Sequence, residues 1–131
     1  VLLCDRAGTV VAAAHAGWRG LASGILEATV AALPVPADEL LAWIGPGIGA
    51  GNYEVDDAVR SAFSEVPPGA FLPNRPGHWL ADLPCLAADR LTGLGVEVFH
   101  SHLCTAADPG RFYSFRRDGR TGRFASLIWR V

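Results

Sequence analysis

Leu2-Leu3-Cys4-Asp5-Arg6-Ala7-Gly8-Thr9-Val10-Val11-Ala12-Ala13-Ala14 holds two apolar runs, Leu2 to Cys4 and Val10 to Ala14, around the turn signal Asp5-Arg6-Ala7-Gly8. Runs of that length across such a turn predict two buried antiparallel strands joined as a hairpin. Further along, Leu21, Ile25, Ala28 and Ala32 recur at near-helical spacing until Leu33-Pro34-Val35-Pro36, where proline ends the helix. Leu40 to Ile44 reads as a short strand that runs into the glycine-rich loop Gly45-Pro46-Gly47-Ile48-Gly49-Ala50-Gly51. Glu54 to Glu65 predicts a helix with Val55, Val59 and Phe63 on one face. Val66 to His78 carries four prolines and predicts irregular, flexible surface chain. Leu80 to Leu94 predicts a helix with Leu83, Leu86, Ala87 and Leu91 buried and Pro84 in its first turn. Val96 to Phe99 reads as a strand. Phe112 to Arg116 and Arg123 to Val131 read as strands joined through Asp118-Gly119-Arg120-Thr121-Gly122 in a second hairpin. Hairpins at both ends of interleaved strands and helices predict an α+β fold, with mixed β-sheets packed together and helices on the outside, not a doubly wound parallel sheet.

The 131 residues suit one domain, and with half of them hydrophobic and 18% charged a disordered chain is excluded. A net charge of −2 removes the broad attraction to nucleic acid or acidic lipid that a basic chain would have, and no apolar run is long enough for a membrane span. Three cysteines, Cys4, Cys85 and Cys104, without paired spacing predict reduced thiols in a cytoplasmic protein. Met is absent and Val1 to Cys4 reads as mid-strand, so the chain is expected to be part of a longer one, with this strand an exposed, apolar sheet edge. Every one of the eleven Lys-or-Arg side chains is Arg, a usage consistent with a GC-rich genome.

Three constellations can carry chemistry. His15-Ala16-Gly17-Trp18-Arg19-Gly20 lies where a strand hands over to a helix, and an imidazole there suits a metal ligand or general base, or else a hydrogen-bonded strand end. In the glycine loop, the amides of Gly47 and Gly49 could hold an oxyanion, although the spacing fits neither a dinucleotide fingerprint nor a phosphate loop; the alternative is a tight structural crossover. Arg111, Arg116, Arg117, Arg120 and Arg123 fall within thirteen positions, and guanidinium groups grip phosphate or carboxylate bidentately. Arg116 and Arg117 point to opposite faces if the segment is a strand, and Arg120 reads as a solvated hairpin tip. His100 and His102 share a face but lack further ligands. Cys104 with His15 would permit a cysteine hydrolase or deamidase, against the commoner fate of a buried, inert thiol.

His-Ala-Gly-Trp-Arg-Gly, the Trp-Ile-Gly-Pro-x-Ile-Gly-x-x-x-Tyr-Glu-Val stretch and the Cys-Thr…Phe-Tyr-Ser-Phe-Arg-Arg-Asp-Gly…Thr-Gly-Arg ending together resemble the bacterial laccase-domain family across essentially all 131 residues. The resemblance implies a zinc-dependent purine nucleoside phosphorylase with adenosine deaminase activity, acting on a purine nucleoside and phosphate, with a homodimer among its expected partners. It implies a zinc site of two histidines and one cysteine, of which only His15 has a counterpart here. The family's cysteine precedes the strand at Val1 and its other histidine lies further upstream, so neither role passes to Cys4, Cys85 or Cys104. The resemblance also makes Arg19, Arg116 and Arg117 candidates for phosphate or ribose contacts. Copper is the alternative metal under the family's older polyphenol oxidase label, which suits a chain of four histidines less well. A non-catalytic fragment is the remaining alternative.

Overall fold

The computed structural model describes residues 1–131. The chain divides into two compact units, and the α+β expectation holds in both. The first comprises residues 1–45, 87–101 and 126–131. Its sheet has the order β2-β1-β3-β7, formed by β1 (Leu2–Asp5), β2 (Val11–Ala13), β3 (Leu40–Ile44) and β7 (Glu97–His100). β1 is antiparallel to both β2 and β3, whereas β3 and β7 run parallel. Register places Leu3 opposite Ala42, so alternation puts Leu3, Leu40, Ala42 and Ile44 on the buried face and Trp43 on the half-exposed one. β1 is therefore an interior strand. The expectation of an exposed edge at Val1 to Cys4 fails because β3 supplies the second ladder.

The first hairpin forms as predicted, and its turn is held by one buried carboxylate. Asp5 accepts hydrogen bonds from the Thr9 amide (2.6 Å), the Thr9 hydroxyl (2.6 Å) and the Val10 amide (2.7 Å), with Gly8 in the left-handed region at φ 71°. The Thr9 hydroxyl, followed by the Val10 amide, holds the Asp5 carboxyl below its ordinary value.

One helix predicted after Gly20 is two: α1 (Trp18–Ala22) and α2 (Ile25–Ala31). Gly24, at φ 78°, breaks the chain between them and resets the helical phase. Leu21, Leu26 and Val30 are consequently buried, while Ile25, expected on the core face, is 36% exposed.

The second unit comprises residues 46–86 and 102–125. Its antiparallel sheet has the order β4-β6-β5: β4 (Glu54–Asp56), β5 (Phe71–Arg75) and β6 (His78–Ala81). Glu54 to Asp56 is strand and not helix, because it pairs with β6 and the Glu54 carboxylate is tied to Arg75 (2.7 Å) and Asn74 (2.5 Å). α3 (Asp57–Ser61) then starts at Asp56, whose carboxylate accepts from the Val59 amide at 3.0 Å. The proline-rich segment, expected to be irregular, contributes β5 and the start of β6. Pro73 is tolerated because β5 is an outer strand, with an irregularity between Pro73 and Arg75.

α4 (Leu83–Gly93) begins after β6, later than predicted, with the Asp82 carboxylate accepting from the Cys85 amide at 2.9 Å. The predicted terminal hairpin is absent. Phe112 to Arg116 is not a strand; it leads into a single helical turn, α5 (Phe115–Asp118), where Ser114 Oγ accepts from the Arg117 amide at 3.4 Å. Arg123 to Val131 has no ladder partner among the described residues and forms no strand.

Candidate functional site

His15 lies two residues beyond β2, exposed to solvent, at the strand-to-helix junction that also carries Arg19. Both glycines of this motif leave room for close neighbours. A Cβ on Gly17 would come within 3.1 Å of His15 Nε2, and one on Gly20 within 3.2 Å of Ile25 Cγ2 and 3.3 Å of the His15 carbonyl. The imidazole therefore folds over bare backbone at the entry to α1. The Arg19 guanidinium stacks 4.4 Å from the centre of the Trp18 ring.

A tetrahedral zinc site needs three or four protein ligands. No group of three or more His, Cys, Asp or Glu side chains with metal-ligating placement exists among the described residues. His100 ends β7, and His102 adopts a left-handed backbone at φ 54°. This set does not fit a zinc centre: His15 is one imidazole of the several required.

In the second unit, the glycine loop and Cys104 are sewn together. Gly47 forms a parallel bridge with Cys104, its amide donating to the Leu103 carbonyl (3.3 Å) and its carbonyl accepting from Thr105 (2.8 Å). The Gly49 amide donates to Cys104 Sγ at 3.2 Å and the Asn52 carboxamide to the same sulfur at 3.5 Å. A Cβ on Gly49 would sit 3.3 Å from that sulfur, so glycine allows the close approach without crowding. Both amides expected to face an anion are thus already engaged, which makes Gly47 and Gly49 part of the scaffold. Burial acts to raise the Cys104 thiol, but hydrogen bonds from the amides of Gly49, Ala107 and Ala106 and from Asn52 outweigh it, and the thiol lies below its ordinary value.

The two adjacent arginines divide sharply in role. Arg117 uses all five N–H donors: Nε and Nη2 reach Asp118 (2.8 and 2.7 Å), Nη1 the carbonyls of Thr105 (2.9 Å) and Ala106 (3.1 Å), and Nη2 also that of Phe112 (3.0 Å). It clamps α5 to the segment after Cys104. Arg116 lies 4.7 Å over the Tyr53 ring and donates only Nη1, to the Glu54 carbonyl at 2.9 Å. Its remaining donors are open, so Arg116 is the member of the pair able to receive an anion. Arg111 is paired with Asp108, and Arg120 is exposed. Sequence reasoning gave no role to Asn52, which follows the glycine loop at a variable position of the motif, or to Tyr53, which stands in the motif's Tyr-Glu-Val ending.

The family described as multi-copper polyphenol oxidoreductase laccase matches residues 1–131. A purine nucleoside phosphorylase of Pseudomonas aeruginosa is 56% identical over 133 residues, covering 98% of this chain and 55% of that protein. The purine nucleoside phosphorylase YfiH of Escherichia coli is 47% identical over 135 residues, covering 100% and 55%. Among solved structures, a Neisseria meningitidis protein superposes with a TM-score of 0.84 at 48% identity, covering 90% of this chain and 50% of that one. YlmD from Geobacillus stearothermophilus gives 0.84 at 30%, covering 90% and 48%. This chain spans about half the length of these relatives. The match along all of residues 1–131, with identity at this level, makes the chain a member of the multi-copper polyphenol oxidoreductase laccase family.

Proposed function

We propose that the chain carries part of a purine nucleoside phosphorylase, converting a purine nucleoside and phosphate to free base and ribose 1-phosphate. The observation that carries this reading is the identity of up to 56% with proteins of that name. In phosphorolysis a phosphate oxygen forms a bond to C1′ while the bond from C1′ to the base nitrogen breaks, and the base leaves with that electron pair. Arg116, with open donors beside Tyr53, would hold the phosphate against C1′ and offset its charge. Arg117, Gly47 and Gly49 would position that segment without touching the anion. His15 would serve as a metal ligand and Arg19 as a phosphate or ribose contact.

Zinc, copper as its alternative, and adenosine deamination are likewise proposed from the family resemblance. Bound zinc would supply an activated hydroxide for deamination; the residues of this chain do not complete such a site. A cytoplasmic setting is proposed on an odd number of cysteines without paired spacing in the sequence. No helix is long and apolar enough to cross a membrane.

The test is release of hypoxanthine and ribose 1-phosphate from inosine by the full-length gene product, dependent on added phosphate. Arg116→Ala should raise the phosphate KM roughly ten- to a hundredfold, the equivalent of one charge-assisted contact worth about 1.5–3 kcal/mol. Phosphate-independent base release would replace phosphorolysis with hydrolysis. An unchanged phosphate KM would remove Arg116 from the site.

A further inference from the structure

Beyond the Arg116 region, the second unit contains an aromatic cleft of about 170 Å³, lined by Tyr113, Phe115, Gly122, Arg123 and Phe124. Its three rings are 55%, 68% and 44% exposed in that order of residues, much apolar surface to leave in water at one place. The walls are nevertheless braced. One side of the Tyr113 ring lies so close to Gly122 that a Cβ there would come within 2.7 Å of it. Phe124 packs on Phe112 with ring centroids 5.4 Å apart, and Phe115 begins α5, whose position Arg117 fixes. Arg123 donates through Nη1 alone, to the carbonyls of Thr121 and Gly122, so its other two nitrogens are unengaged at the cleft.

Size and chemistry narrow the ligand. An enclosed apolar cavity of about 150 Å³ accommodates benzene, so an open cleft of this volume has room for one flat ring system. Aromatic walls favour a π-face, and every nucleobase has one. A guanidinium with free donors matches adjacent oxygen and nitrogen acceptors, the O6 and N7 edge of a 6-oxopurine. We propose that this cleft binds the base of a 6-oxopurine nucleoside, stacked on Tyr113 and Phe115 with Arg123 at its acceptor edge. The proposal rests on the phosphorylase reading for the identity of the nucleoside. It adds that the base is read by residues 113–124.

The experiment titrates hypoxanthine into the full-length protein by calorimetry, with inosine phosphorolysis measured on the same samples. Tyr113→Ala and Phe115→Ala should each weaken hypoxanthine binding about tenfold or more, while Tyr113→Phe should keep it. Phe115 is the most exposed of the three rings, so its variant tests the cleft even where Tyr113→Ala disturbs folding. Hypoxanthine that fails to bind, or binds wild type and both alanine variants equally, overturns the proposal. Binding that is lost in the alanine variants while wild type shows no phosphorolysis leaves the base site standing and removes the activity instead.

Discussion

At Cys104 the chemistry is set by donors that only the folded chain can assemble. Four hydrogen bonds to the sulfur favour thiolate over thiol, so alkylation by iodoacetamide should rise at lower pH than for an ordinary cysteine. Asn52→Ala removes one donor and should move the onset upward, as followed by mass spectrometry of the Cys104 peptide across pH. The Arg116 and Arg117 pair makes a second contrast. Arg117→Ala should lower the thermal midpoint, since it strips hydrogen bonds from three carbonyls and from Asp118. Arg116→Ala should leave the midpoint nearly unchanged; equal losses would mean that both arginines are structural. The cluster itself was legible from spacing. Which guanidinium stays open was not, because the answer depends on where the carbonyls of Thr105, Ala106 and Phe112 come to rest.

Among the elements, those with one strong local signal were readable. Leu40–Ile44 is an apolar run bounded by turn residues, and its limits match the sequence reading. Asp5-Arg6-Ala7-Gly8 likewise announced its hairpin. Failures came where one pattern satisfied two structures. Val55, Val59 and Phe63 have helical spacing, and Val55 and Phe63 are indeed buried, yet the backbone changes from strand to helix between them. The Ser23-Gly24 break was equally hidden, since the apolar residues on either side continue a plausible stripe. Gly24→Ala tests that break: forcing a Cβ into the left-handed region should cost about 1–2 kcal/mol in urea denaturation. A neutral result would mean that α1 and α2 can merge into one helix.

For the molecule as a whole, acid sensitivity follows from four carboxyls held below their ordinary values: Asp5 by the Thr9 hydroxyl, Glu54 by Arg75, Asp108 by Arg111 and Asp118 by Arg117. A depressed carboxylate contributes stability that is complete above the ordinary range near pH 4 and is lost as pH falls through the depressed value. Urea midpoints should therefore decline below about pH 4, and Asp5→Asn should be less stable at neutrality with a shallower acid decline. Metal affinity is also a property of the entire residue set. With no three-ligand group present, calorimetric titration of these 131 residues with zinc should give only weak binding. Tight one-to-one uptake would mean that His100, His102, Cys4 or Cys104 joins His15 as a ligand.

The proline in β5 has a consequence for how copies of the protein meet. An outer strand normally presents a continuous row of amides on which another chain can grow. Pro73 brings no amide donor to this strand, and the register with β6 is irregular between Pro73 and Arg75. That side of the three-stranded sheet is thereby a poorer template for an added strand than an unbroken edge would be.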